Sequence, residues 1–325
     1  MEFLNSFQSA ATAAKFAMAD TLIGISVSQG ANPQVKNYQP EYLDYCDEAV
    51  VSAATSRTLA GKRVFVKGVR NFQGLAFRRL PVVATSSRVH NWCMCFAPAN
   101  ALEAFESVVA AYTVGQDRKV MMPSCVVIDE LLQETYESLD FPGSAVVKNT
   151  VGDLKIDKKH ADFSRCDLEG IALMNKAVKN AHAFLKDFSE SWKKKTKSHF
   201  KLVETQNLED AEFAIVTYGS ATTNAKLAVK HLREQRKEKV GLLSLKLIRP
   251  FPEQEVSEAL KNVKKIAVVD NTFSLATWSR LYQEVRTCHN GLALNAMSEN
   301  TTVKNFIEIF DILKKSEKSD RIWNF

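Results

Sequence analysis

Phe213-Ala-Ile-Val-Thr-Tyr-Gly-Ser220, Lys239-Val-Gly-Leu-Leu-Ser-Leu-Lys-Leu-Ile-Arg-Pro-Phe-Pro-Glu253 and Lys265-Ile-Ala-Val-Val-Asp-Asn271 decide the fold. Each is a short, nearly continuous apolar run closed by a turn residue. Such runs are strands buried on both faces, because an antiparallel strand with one wet face would alternate polar and apolar positions. A helix expected from about Ala221 to Gln235 separates the first two, and a short helix after Glu253 precedes the third. Strand–helix–strand alternation predicts a parallel sheet covered by helices on both sides.

Working outward, the N-terminal part repeats the alternation. Phe7–Ala19 is Ala-rich and predicted helical, and Thr21–Val27 is a buried strand. Glu41–Leu59 is expected as a helix ending near Gly61. Arg63–Lys67, Leu80–Thr85 and Lys119–Asp129 are strand regions, the last with Pro123 near its middle. Asn100 is a candidate N-cap, with Glu103 three residues on. The helix it opens aligns Leu102, Phe105, Val109 and Tyr112. Between the two series, Leu168–Trp192 carries Ile171, Met174, Val178, Ala181, Leu185, Phe188 and Trp192 at helical spacing. The basic run Lys193–Lys201 reads as a solvated helix end whose cations complement the helix dipole. The fold class is α/β, with two doubly wound parallel-sheet domains. The expected boundaries are 1–150, a 151–200 linker with an amphipathic helix, and 201–325.

Composition narrows the function. The 325 residues are 46% hydrophobic and 25% charged, with 12 Gly and 8 Pro, enough apolar content for two cores and against extensive disorder. The 43 Lys and Arg exceed the 37 Asp and Glu by 6, too few for this length to indicate nucleic acid as a partner. No window resembles a membrane span, and Met1–Ser6 lacks the basic stretch and apolar core of a signal peptide, so no membrane association and a cytoplasmic location are expected. The cysteines at 46, 93, 95, 125, 166 and 288 form no C-x-x-C pair and have no iron–sulfur spacing. Cys93 and Cys95, two apart in a strand, are expected as buried thiols. The histidines show no zinc-enzyme arrangement, so no metal site is expected on this chain.

The motifs also carry a resemblance. Asp210–Lys226, Lys239–Glu253 and Val263–Asn271 resemble, in order and spacing, the second domain of the alpha chain of the pyruvate (2-oxoacid):ferredoxin oxidoreductases. That domain has a strand ending in Gly-Ser, one ending in Arg-Pro-Phe-Pro, and one ending in an acidic residue plus Asn. Arg118–Glu130 and Ala60-Gly-Lys-Arg-Val-Phe65 resemble the family's first domain. Roughly residues 8 to 315 are covered. The resemblance implies a pyrimidine-binding-type domain followed by a transketolase C-terminal-like domain. Asn290-Gly-Leu-Ala293 is similar only to the start of a later family segment.

The resemblance also implies a site and its departures. The family's Tyr-Pro-Ile-Thr-Pro loop corresponds to Ile25-Ser-Val-Ser-Gln29, which puts Ser28 at the substrate-contacting position without either proline. Its Glu-Ser-Glu-His segment corresponds to Tyr45-Cys-Asp-Glu48. That puts Asp47 where a carboxylate protonates the cofactor pyrimidine N1′, and leaves Glu48 as a shifted candidate for the same role. Arg88 matches the substrate-binding Arg. The Thr-Ser-Ser-Gln-Gly turn is replaced by Gly68–Gly74, and two loops are shortened. These implications describe an alpha subunit that oxidatively decarboxylates a 2-oxoacid to an acyl-CoA. Thiamine diphosphate would be shared with a beta subunit. The iron–sulfur cluster and Mg²⁺ would sit on partner chains only, gamma and delta subunits could complete the complex, and ferredoxin would accept electrons. The shortened first domain leaves open an alternative, a non-catalytic paralogue acting as a structural or regulatory subunit.

Overall fold

The computed structural model describes residues 2–19, 21–25, 41–43, 47–69, 72–156, 168–270, 277–297 and 301–323. The chain divides into two compact units, 1–200 with 248–250, and 201–247 with 251–325.

In the first unit, β1 (Glu2–Asn5) leads into α1 (Ser6–Phe16) through an Asn5 capping box completed by Gln8. Then come β2 (Thr21–Ile25), β3 (Glu41–Leu43), α2 (Asp47–Leu59), β4 (Val64–Lys67), α3 (Gln73–Phe77), β5 (Val83–Ser86) and β6 (Met94–Phe96). They are followed by α4 (Ala101–Gly115), β7 (Ser124–Val127), α5 (Glu130–Glu134), β8 (Tyr136–Leu139), α6 (Ser144–Val151) and α7 (Leu168–Thr196). β1 and β8 pair antiparallel in a separate ribbon. β2 to β7 build a sheet whose order is β6-β7-β5-β4-β2-β3, and every pairing described among them is parallel.

The second unit runs β9 (Val203–Gln206), β10 (Phe213–Tyr218), α8 (Ala221–Arg236) and β11 (Val240–Leu245). After β12 (Leu247–Arg249), at the β6 edge of the first sheet, come α9 (Glu253–Leu260), β13 (Lys265–Asp270), α10 (Arg280–Thr287), β14 (Leu292–Met297), α11 (Val303–Lys315) and β15 (Asp320–Trp323). Its sheet order is β15-β14-β13-β10-β11-β9, parallel except for β9. The three runs that decided the fold are β10, β11 and β13, side by side. Ile215, Leu242, Ala267 and Val269 pack beneath Ala225, Val229 and Leu232 of α8 and Phe306, Ile309 and Phe310 of α11. The α/β class with mostly parallel sheets therefore holds.

Four local readings are corrected. Glu41–Leu43 is a strand, with Ile23 to Ile25 of β2 as its partners, so the expected helix starts only at Asp47. The strand around Pro123 starts at Ser124, since Pro123 has no N–H for the ladder and 117–121 is a turn with Met121 at φ 43°. The apolar run 240–248 is two strands. Lys246 interrupts it, its N–H and that of Leu247 both donating to Leu202 O, while its ammonium lies 3.2 Å from Glu204. On α7 the buried stripe is Met174, Ala177, Ala181, Leu185, Phe188 and Trp192, whereas Ile171 is exposed. The Asn100 cap forms as expected, accepting from Glu103 N at 2.9 Å, and the Glu103 carboxylate accepts from Ala99 N at 2.7 Å.

Two buried polar side chains organise the first unit. Arg63 donates to Gln116 Oε1 at 3.1 Å, to Ala17 O at 3.1 Å and to Gly152 O, so one guanidinium meets the C-caps of α1, α4 and α6. Glu106 of α4 accepts from the indole N–H of the fully buried Trp192 on α7 at 2.8 Å. Burial pushes the Glu106 carboxyl up, and the neighbouring Glu103 charge adds to this, while Ser198 and Trp192 oppose it. A carboxyl raised in the native state binds its proton more tightly folded than unfolded. Its contribution is therefore full below the ordinary value of 4.5 and is lost as pH rises through the native value. Glu106→Gln keeps an acceptor for Trp192 and removes the charge. Its thermal midpoint relative to the parent is expected to climb between pH 4.5 and pH 7; a pH-independent difference in melting curves would contradict this.

Candidate functional site

In an open parallel sheet, ligands bind outside the carboxyl ends of the strands, where neighbouring connections leave in opposite directions. In the first unit that place lies between β2 and β4, because the chain goes from β2 to β3 on one side and then to β4 on the other. Residues following β2, β3, β4 and β5 share this rim. Ser28 follows β2, Asp47 and Glu48 open α2 after β3, and Arg88 follows β5. Chain topology thus places the start of α2, with Asp47 and Glu48, and the loop bearing Arg88 at one edge. Ser28 and the side chains of Asp47 and Glu48 lie outside the described residues. Arg88 is exposed, and its backbone N–H donates to Ser86 Oγ at 3.2 Å.

The described rim holds further polar groups. β4 ends in Lys67, whose ammonium lies 4.7 Å from the centre of the Phe7 ring, and burial lowers its pKa. Gly68 follows at φ 81°, with its N–H donating to Thr85 O at 3.0 Å. This left-handed residue turns the chain away from the sheet while tying the β4 end to β5. The imidazole of His90 contacts Ser86 Oγ through Nε2 at 2.8 Å and lies 4.7 Å from the Phe72 ring centre. Sequence reading missed Lys67, Ser86, Phe72 and His90 as rim residues. The available signal was position, since each stands at or just past the carboxyl end of a parallel strand.

The thiols are structural. Cys95 faces Cys125 across the β6–β7 register, and Cys93, Cys95 and Cys125 are buried and unoxidised. Burial pushes the Cys93 and Cys125 thiols up. The Cys125 hydrogen bond, followed by burial, does so for Cys95. Thiols held protonated are poor nucleophiles. Among the described residues no group of three or more His, Cys, Asp or Glu side chains could hold a metal ion. Among the same residues no helix is long and apolar enough to cross a membrane.

At the matching rim of the second unit, between β10 and β13, the polar groups are paired. Tyr218 donates to the buried Asp270 at 2.8 Å, Thr222 and Ser244 hydroxyls meet at 2.9 Å, and Asn295 bonds Ser279 at 3.1 Å.

Comparison with known proteins agrees with these motifs. Residues 211–306 match the family model described as pyruvate:ferredoxin oxidoreductase core domain II. The chain is 28% identical to pyruvate synthase subunit PorA of Methanothermobacter thermautotrophicus over 62% of its length and 55% of that protein. With the PorA subunit of Pyrococcus abyssi it shares 25% identity over 80% of the chain and 74% of the relative. With the alpha subunit of NADH-dependent phenylglyoxylate dehydrogenase of Aromatoleum evansii it shares 26% over 73% and 68%. The matches to three of the PorA relatives span only 52–57% of their lengths. Among solved structures, 2-oxoglutarate:ferredoxin oxidoreductase from Magnetococcus marinus superposes with a TM-score of 0.71 at 11% identity, over 96% of this chain and 65% of that one. A split-gene transketolase superposes at 0.57 and 10% identity, over 95% and 98%. The resemblance read from the motifs holds: residues 211–306 match the pyruvate:ferredoxin oxidoreductase second-domain model, and the chain is similar to pyruvate synthase PorA subunits at 23–29% identity.

The rim depends on Gly68 for its shape. An L-residue at φ 81° is strained by about 1–2 kcal/mol, so Gly68→Ala is expected to lower stability by that amount in denaturant unfolding. An unchanged midpoint would show that the turn relaxes freely.

Proposed function

We propose that this chain is the alpha subunit of a 2-oxoacid:ferredoxin oxidoreductase, acting at the carboxyl-end rim of its first sheet and completed by a beta-type partner. The observation that supports it is the convergence of the β2, β3, β4 and β5 ends, with Asp47 and Arg88 on connections leaving one edge. The residue types fit this reading: a carboxylate in the first turn of α2 suits the pyrimidine N1′ of thiamine diphosphate, and the cation on the loop after β5 suits the carboxylate of a 2-oxoacid. Bound there, thiamine diphosphate would supply the carbon nucleophile and the electron sink for decarboxylation.

The roles of the chain's own residues follow. The Asp47 carboxylate holds a proton at the pyrimidine N1′, the exchange that lets the neighbouring amino group act as base. Glu48 is the neighbouring carboxylate that would take over if Asp47 falls short. Arg88 pairs with the 2-oxoacid carboxylate through its guanidinium fork. The Ser28 hydroxyl contacts the substrate oxygen. The diphosphate, its Mg²⁺ and an iron–sulfur cluster belong to partner chains in this reading, with gamma and delta subunits possible and ferredoxin as electron acceptor. In this reading the protein is cytoplasmic.

The test is reconstitution with the partner chain. Asp47→Ala should abolish 2-oxoacid-dependent dye or ferredoxin reduction while assembly survives. Asp47→Glu should preserve or raise the rate, because it adds one methylene of reach. An active complex indifferent to both would transfer the role to Glu48. A correctly assembled complex with no turnover under any variant would leave the non-catalytic subunit as the function.

A further inference from the structure

The loop 86–92, which carries Arg88, is fastened to the segment 72–77 at two points. The His90 ring packs on Phe72 at 4.7 Å, and the Trp92 ring packs on Phe77 at 5.3 Å with 43° between planes. Phe72 is 1% exposed and Phe77 8%, so both anchors belong to the core. Ser86 Oγ secures the loop's start: it accepts the Arg88 N–H at 3.2 Å and meets His90 Nε2 at 2.8 Å. A hydroxyl has one proton to give, and here the imidazole nitrogen can receive it while the backbone N–H uses an oxygen lone pair. Arg88 itself is exposed, between the fastened ends. The connection after β4 and the loop after β5 are thereby joined to each other by aromatic contacts.

We propose that Ser86 and His90 are positioning residues: they hold the loop so that the Arg88 guanidinium is presented, without further ordering, to the carboxylate of the 2-oxoacid. This rests on the reading of Arg88 given above. The benefit is entropic, because a loop ordered in advance costs nothing at binding.

The experiment follows two readouts on the full chain: amide exchange across 87–91, and the affinity for pyruvate from broadening of its methyl resonance in the presence of thiamine diphosphate. His90→Leu and Ser86→Ala should both speed exchange and weaken pyruvate about tenfold, as should Arg88→Gln for affinity alone. His90→Gln, which can still bond Ser86, should recover most of the loss. In an Arg88→Gln background, His90→Leu should cost nothing more, because there is no guanidinium left to position. Ser86→Ala carries the test if His90→Leu does not fold. Faster exchange with unchanged affinity, or losses that add in the double variant, would overturn the positioning role and leave the proposed function standing. Pyruvate that never binds the parent chain, with or without a copurifying partner, would overturn both.

Discussion

Arg63 is the constraint around which the first unit is arranged. Three helices end near the amino end of β4, and each leaves backbone carbonyls without intrahelical partners. One buried guanidinium accepts the convergence, donating to Ala17 O, to Gly152 O and to the Gln116 side chain. Gln116 in turn donates to Val151 O, so the α4 cap and the α6 end share one network. The negative ends of three helix dipoles meet a cation that no accessible pH removes. With the helix ends gathered below, the opposite end of β4 is where Lys67 and Gly68 emerge. Removing the charge would strand several buried carbonyls at once, which is why a single Arg outweighs any one apolar contact in this unit.

That arrangement separates the buried Arg63 network from the candidate site along the strand direction. The amino ends of the strands carry the Arg63 network, and the carboxyl ends carry short connections bearing Arg88, His90 and the first turn of α2. Parallel strands place all carboxyl ends on one edge, so residues that are remote in sequence converge without long loops.

The legible parts of the fold were those fixed by local chemistry. β10, β11 and β13 read directly because each is apolar on both faces and closed by a turn residue. The Asn100 cap and the α7 stripe read from side-chain spacing alone. Glu41–Leu43 did not, because its strand character comes from β2 beside it, a long-range pairing that a polar–aromatic–apolar triplet does not announce. Nor did the break at Lys246, where a buried ammonium is tolerated only because Glu204 on β9 stands 3.2 Å away. At the rim, Arg88 was found through family motifs. His90 escaped because its partners, Ser86 and Phe72, come from two different connections that only the fold brings together.

The two units carry the same rim differently, and the difference argues for where chemistry resides. In the second unit the carboxyl ends of β10, β13 and β14 present polar side chains already satisfied by one another: Tyr218 with Asp270, Thr222 with Ser244, Asn295 with Ser279. Buried pairs of this kind fix the sheet and the helices that cover it, and a ligand would have to break them and replace each bond. In the first unit the described rim also holds a pair, Ser86 with His90, and beside it a lysine whose pKa burial lowers and an arginine exposed on a fastened loop. An exposed arginine beside a strand end can take an anion without giving up a buried partner. The motifs of 211–306, over which the family model matches, thus serve the framework of the second unit, while the candidate site lies on the first.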